Sequence, residues 1–217
     1  QAEGLLTEIQ KRGTLKVGMS TFVPWAMRDV EGNLVGFEID VATKVAEDMG
    51  VEVEFVPTAW SGIIPALLAN KFDVIIGGMS ITPQRNLTVN FTQPYAHSGQ
   101  QMAANTALTE KFATLAEFNA SDVTISCRRG ATPCTIAEKI FPKATLRRFD
   151  DDAQAFQEVV NGNAHATISS APKPRLWSEA HPEKDYVAKG GENLPRGDEA
   201  FALRKGEHVA IMGDNGA

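Results

Sequence analysis

The order of elements in the sequence predicts an α/β fold of two lobes, the second inserted into the first. Three observations carry that prediction. From Leu15 to Ile76, short apolar strands alternate with amphipathic helices, as they do in a β-α-β-α-β unit. After Tyr95 the pattern loosens into an extended segment, Gln100 to Ala104, and a second α/β series starts. Beyond a Gly- and Pro-rich stretch from Gly190 to Gly197, the chain returns to a strand at Ala200 to Leu203. Lobe 1 is therefore expected over residues 1–99 and 192–217 and lobe 2 over 100–191, with two strands crossing between them.

A short polar lead-in precedes the first strand, Leu15-Lys16-Val17-Gly18-Met19. Ser20 to Trp25 then form a loop at its carboxyl end, the edge where open α/β sheets bind ligands. Asp29 to Leu34 read as a hairpin turn. A helix opens at Gly36-Phe37-Glu38-Ile39-Asp40, with acids in its first turn where the dipole favours them. Ile39, Ala42, Val45, Ala46 and Met49 keep helical spacing, and Gly50 ends the helix. Val51 to Val56 is the second strand. Ser61 is placed to cap the next helix, whose Ile64, Leu67 and Leu68 face the sheet, and Phe72 starts the third strand. Right-handed crossovers are expected throughout.

In the second series, Thr114 and Glu117 have capping-box spacing. Val123 to Cys127 is a strand and Arg128 to Thr132 a loop. Pro133 to Phe141 is a helix, Thr145 to Phe149 a strand and Asp151 to Asn161 a helix. Ala164 to Ile168 is a strand, Pro174 to Ala180 a helix and Tyr186 to Ala188 a short strand.

Composition bounds the function. The 217 residues carry 21 Lys plus Arg against 27 Asp plus Glu, a formal charge of −6. That length allows a sizeable core, and the acidic balance argues against nucleic acid, which wants a basic patch. No run of about 18 apolar residues occurs, so nothing in the sequence reads as a membrane-spanning helix. The sequence begins at Gln1 without a basic-then-apolar leader, which fits a processed secretory protein and a trimmed chain equally. Cys127 and Cys134 could bridge in an oxidising compartment, or their Cα atoms could lie too far apart, and the sequence leaves both open. Two thiols without a histidine pair make a poor zinc site, and the four histidines have no ligand spacing, so neither metal nor cofactor is expected.

The most informative stretch runs from Phe72 to Tyr95. Val74 to Ile76 reads as a strand buried on both faces, and it stops at Gly77-Gly78, where a backbone without Cβ lets a ligand come close. Ser80 and Thr82 add hydroxyls, Pro83 suits the first turn of a short helix, and Arg85 sits on that turn. A carboxylate at such a strand end would meet N–H donors, hydroxyls and a guanidinium fork. The alternative is a plain strand, loop and surface arginine.

The string Gly77-Gly78-Met79-Ser80-Ile81-Thr82-Pro83-Gln84-Arg85, followed by Phe91-Thr92-Gln93-Pro94-Tyr95, closely resembles the signature of family 3 extracellular solute-binding proteins, the amino-acid receptors of bacterial ABC importers. The resemblance covers about Leu15 to Lys205. It implies a two-lobed periplasmic-binding-protein fold of type II, with two three-layer α/β lobes joined by two crossing strands, that closes on its ligand by hinge motion. It implies a monomer in the periplasm, processed from a signal peptide or lipid-anchored if the true N-terminus carries a cysteine. The partners implied are a small carboxylate or amino-acid ligand and a membrane ABC permease.

Carried over position by position, the family's pocket falls on Phe22 and Trp60 as covering aromatics. Gly78 and Ser80 match donors to the ligand carboxylate, and Arg85 matches its bidentate partner. Thr132 matches a helix N-terminus that also binds the carboxylate, and Arg128 a contact to the ligand's side chain. Each has a plainer reading: Phe22 and Trp60 as core aromatics, Arg128 as a solvated loop residue.

Two departures stand out. Ser170 occupies the position of the aspartate that usually holds the ligand's ammonium, and a serine cannot neutralise a buried cation. No other acid falls at a matched position, so lysine, arginine and ornithine are expected to be poor ligands. The segment from Gly206 to Ala217 also lacks the amphipathic helices that complete lobe 1 in the family. A cyclohexadienyl-dehydratase-like enzyme on the same fold is the main competing function, and it would need a positioned proton donor. The sensing domain of a signalling protein is another.

Overall fold

The computed structural model describes residues 4–181, 186–189 and 196–206. Most of the expected Gly- and Pro-rich stretch and the tail from Glu207 lie outside the described residues. In chain order the elements are α1 (Leu5–Arg12), β1 (Thr14–Met19), β2 (Met27–Arg28), β3 (Leu34–Val35), α2 (Phe37–Asp48), β4 (Glu52–Pro57), α3 (Ile63–Leu68), β5 (Val74–Ile75), α4 (Pro83–Asn86) and β6 (Val89–Phe91). They continue with β7 (Ala96–Asn105), β8 (Thr124–Arg128), α5 (Thr132–Ile140), β9 (Thr145–Phe149), α6 (Asp152–Val160), β10 (Ala166–Ser170), α7 (Lys173–Ala180), β11 (Tyr186–Lys189), β12 (Arg196–Glu199) and β13 (Ala202–Arg204).

These elements form two compact units. One comprises Gln1–Thr58, Gly62–Ala96 and Glu199–Ala217; the other comprises Ala59–Ser61 and His97–Asp198.

The first unit is built on the sheet order β4-β1-β5-β13-β6. β1 lies parallel to β4 and β5, with Val17 opposite both Phe55 and Val74. β13 runs antiparallel between β5 and β6, so the returning strand is an interior member of the sheet. The core gathers Leu15, Val17, Ala42, Ala46, Val74 and Ile76 around the inward stripe of α2. Gly18 in β1 admits the ring of Phe72: a Cβ there would stand 2.2 Å from Phe72 Cε2. Substitution at Gly18 is therefore sterically barred.

Two expectations need correction here. The lead-in is helix α1, whose Leu5 and Ile9, four residues apart, are buried on one face. Charged residues around them mask that spacing. Ser61 does not cap α3: residues 60–62 form a 3₁₀ turn, and the N-cap is Gly62 without a side-chain hydrogen bond. The capping box of Thr114 and Glu117 is present, on a 3₁₀ turn rather than a longer helix.

The second unit holds the sheet order β11-β7-β10-β8-β9, with β12 also paired to β7. One face packs Met102, Ile125, Ile168, Phe118 and Phe141 against α5. On the other face the hydroxyl of Ser126 donates to Ala155 O of α6 at 2.7 Å. Cys127 and Cys134 form a disulfide with Cα atoms 5.3 Å apart, which settles the pairing that the sequence leaves open. A turn at Arg129 and Gly130, closed by the Ala131 N–H donating to Arg128 O at 3.2 Å, brings the end of β8 back to the start of α5.

Candidate functional site

In the first unit the candidate residues Phe22, Gly78, Ser80 and Arg85 sit at the carboxyl end of β5. Gly78 has φ +67°, a conformation that L side chains rarely adopt. Its open side is crowded: a Cβ there would meet Phe22 Cζ at 3.0 Å, Glu199 Oε2 at 3.3 Å and Glu38 Oε1 at 3.4 Å. The Gly78 N–H donates to the Tyr95 hydroxyl oxygen at 3.1 Å. That hydroxyl in turn donates to Glu38 Oε2 at 2.6 Å. The glycine N–H is thus engaged within the protein, and the space a Cβ would take is bordered by Phe22, Glu199 and Glu38.

Phe22 is fixed by a pair of backbone hydrogen bonds with Ala26, of 2.7 and 2.9 Å, which close the loop after β1. Ser80 is buried and forms an antiparallel bridge with Glu199. Arg85 rides on α4. Thr82 caps that helix by accepting from the Arg85 N–H at 3.2 Å, and Arg85 Nη1 donates to Ser80 O at 2.7 Å. Burial lowers the Arg85 pKa to about 10, so the guanidinium stays cationic at neutral pH.

Sequence reasoning places no acid at this site. The structure nevertheless brings two acids close to Gly78: Glu38, fully buried on α2, and Glu199, 3% exposed at the end of β12. Both reach the open side of Gly78. Burial raises the Glu38 pKa to about 7, the Tyr95 hydrogen bond opposes the rise, and the charge of Glu199 adds to it. Oε1 of Glu38 has no hydrogen-bond partner among the described residues. In the sequence Glu38 looks like an ordinary first-turn acid, and Glu199 has no local signal. Their convergence is tertiary.

In the second unit Arg128 ends β8 instead of starting a loop, and it is 9% exposed. Its guanidinium carbon lies 5.5 Å from the ring centroid of Trp60, itself buried. The reading of Arg128 as a solvated loop residue is therefore excluded. Burial lowers its pKa, and Asp152 and Asp151 oppose that shift. Thr132 is the first residue of α5, where helix N–H groups lack intrahelical acceptors. Ser170 ends β10 opposite Gln100, whose side-chain amide is buried without a hydrogen-bond partner among the described residues. The neighbouring Ser169 hydroxyl and Lys173 Nζ both donate to the buried carboxylate of Asp152, Lys173 at 2.6 Å.

The architecture agrees with what the chain is similar to. Residues 15–207 match the profile of the bacterial extracellular solute-binding proteins, family 3. The chain belongs to this family. It is 30% identical over 208 residues to cyclohexadienyl dehydratase of Pseudomonas aeruginosa, covering 92% of this chain and 77% of that protein. It is 28% identical over 216 residues to the L-cystine-binding protein TcyJ of Escherichia coli K12, covering 99% and 80%. Among solved structures it superposes with TM-score 0.84 on an ancestral amino acid-binding protein described as a precursor of cyclohexadienyl dehydratase. Identity there is 38%, with 94% of this chain and 87% of the other covered. The fold is thus the type II periplasmic-binding fold, and the family is one of solute-binding proteins.

Proposed function

We propose that this member of the family is a receptor for an amino acid or a related small carboxylate, acting outside the cytoplasmic membrane as a monomer and handing its ligand to an ABC-type permease. The observation that carries the reading is the half-buried guanidinium of Arg85, anchored on Ser80 O beside the bare backbone of Gly78. A desolvated arginine at a strand end suits a carboxylate, because its fork grips both oxygens. Phe22 supplies an apolar cover on the same side. Trp60, Arg128, Thr132 and Ser170 of the second unit are proposed as further ligand contacts, with Arg128 suited to an acceptor group.

Isothermal calorimetry of Arg85→Ala against amino acids and simple carboxylates tests the reading. Loss of the buried partner should weaken binding by about 2 to 5 kcal/mol. Arg85→Lys should recover only part of that, since an ammonium lacks the fork. Unchanged affinity in Arg85→Ala would refute the carboxylate role.

One observation favours a second reading, an enzyme resembling the dehydratase relative. Burial raises the Glu38 pKa to about 7, so a part of the molecules holds this proton at neutral pH, as a general acid must. Loss of water from a cyclohexadienol ring gives an aromatic product, so ultraviolet absorbance separates the two: a receptor leaves the compound unchanged. We favour the receptor because Glu38 already engages Tyr95 and is fully enclosed.

A further inference from the structure

Among the described residues, the second unit buries two cations and one anion, Arg128, Lys173 and Asp152, all beyond the carboxyl ends of its parallel strands β8, β9 and β10. Arg128 ends β8, and strand alternation sets it on the face of Ser126, whose hydroxyl donates to α6. Asp152 is the first residue of α6, and Lys173 is the first residue of α7. The carboxylate of Asp152 is occupied. Lys173 Nζ donates to its Oδ2 at 2.6 Å, and the Ser169 hydroxyl donates to the same oxygen at 3.2 Å. Lys173 is steadied in turn by the ring of Phe156, whose centroid lies 5.1 Å from Nζ.

Arg128 stands between two attractions. One is the ring of Trp60, with its centroid 5.5 Å from the guanidinium carbon. The other is negative charge at the start of α6, where Asp152 and Asp151 both favour the charged form of Arg128. Asp151 is exposed and accepts from the Ala153 N–H at 2.6 Å, so solvent weakens its pull. Asp152 is buried, where a charge acts strongly unless it is neutralised. An aromatic face attracts a cation only modestly, and a bare buried carboxylate would outweigh it.

We propose that Lys173 is a positioning residue for ligand binding: by neutralising Asp152 it leaves the guanidinium of Arg128 on the ring of Trp60, where its N–H edge serves a ligand. The inference rests on the receptor reading above, in which Arg128 contacts an acceptor group of the ligand, and it deepens that reading by naming the residue that keeps Arg128 in place. Stacking uses the flat face of a guanidinium and leaves its hydrogen-bonding edge directed sideways. Without Lys173, Asp152 would be a buried anion held by the Ser169 hydroxyl, and the guanidinium would turn from Trp60 toward α6. The role is one of charge balance, so it disappears when Asp152 is made neutral.

Nuclear magnetic resonance of the intact protein without ligand reads the position of Arg128 directly. The ring current of Trp60 should move the Arg128 Nε–H proton resonance upfield. Lys173→Met should abolish that displacement, and Lys173→Gln, which keeps a donor without the charge, serves if Lys173→Met does not fold. Adding Asp152→Asn to either variant should restore the displacement, which a general loss of packing around Lys173 would not allow. Calorimetry with L-glutamate and L-glutamine should follow the same series. Affinity for the tighter of the two should fall about tenfold in the single variant and return to within about threefold of the parent in the double one. An Arg128 resonance that ignores the change at Lys173, or that the added Asp152→Asn fails to restore, would overturn the positioning role. So would a recovered resonance without recovered affinity. A parent protein that binds neither amino acid would count against the receptor reading alone, because the resonances decide the positioning role without ligand.

Discussion

At the scale of single residues, Glu38 gives the structure a measurable dependence on pH. Its ordinary pKa is 4.5, and burial raises it to about 7 in the folded chain. The folded state therefore holds this proton more tightly than the unfolded state. Between those two values the unfolded chain has already released the proton while the folded chain keeps it, so stability falls as pH rises through that window. The ceiling on the loss is about 3 kcal/mol, at about 1.4 kcal/mol per pKa unit. Urea denaturation at pH 5 and pH 8 should show Glu38→Gln losing less stability than the parent across that interval, by at least about 1 kcal/mol. Parallel behaviour of the two proteins would mean that Glu38 is ionised in the fold. Residues of this kind are hard to read in a sequence. Arg85 was legible because Gly-Gly, two hydroxyls, a proline and an arginine stand within nine positions of one another and imply one local geometry. Glu38 and Glu199 are separated by most of the chain, and only the sheet brings them to Gly78.

At the scale of elements, the turn from β8 into α5 joins two proposed ligand contacts to the covalent frame of the second unit. Arg128 ends the strand, Thr132 begins the helix, and the Cys127–Cys134 disulfide spans the two with a sequence separation of 7. A loop that short loses little entropy on closure, and the chain-entropy relation gives about 2 to 3 kcal/mol of stabilisation. Replacing both cysteines by serine should lower stability by about that amount, read as a shift in the thermal midpoint. The same shift should appear in the parent protein under a reductant, and no shift in either case would mean that the bridge constrains nothing that unfolds. The elements with strong periodicity were legible: Ile39, Ala42 and Ala46 on α2 are buried as their spacing predicts. Elements carried by few residues were not. α1 shows two apolar positions among charged ones, and β5 is two residues long. Ser61 failed as a cap because a 3₁₀ turn, ordinary before a helix, takes up residues 60–62 and shifts the helix start past it.

For the whole molecule, chain order and sheet order disagree in a way that predicts how each unit behaves alone. The second unit takes nearly all its residues from one continuous segment, His97–Asp198, which contains the six strands of its sheet apart from the first residue of β7 and the last of β12, together with its buried core and its disulfide. The first unit is assembled from three segments, and the last supplies β13. That strand sits between β5 and β6, and β6 has its sheet partner only in β13 among the described residues. Removing β13 would strand β6 and strip Phe201 and Leu203 from the core that α1 and α2 cover. The return strand was visible in the sequence as Ala200 to Leu203, but its place inside the sheet was not, since an apolar tetrapeptide carries no record of its neighbours. A fragment of residues 97–198 should therefore refold by itself and melt cooperatively by circular dichroism, with Arg128 more exposed for want of Trp60. A fragment of residues 1–96 should show no cooperative transition, because an open β5 edge and an orphan β6 leave backbone groups unpaired and the core half covered. A sharp, reversible melt of the 1–96 fragment would show that β13 is dispensable to the first unit, and that its stability comes from the parallel strands β4, β1 and β5 alone.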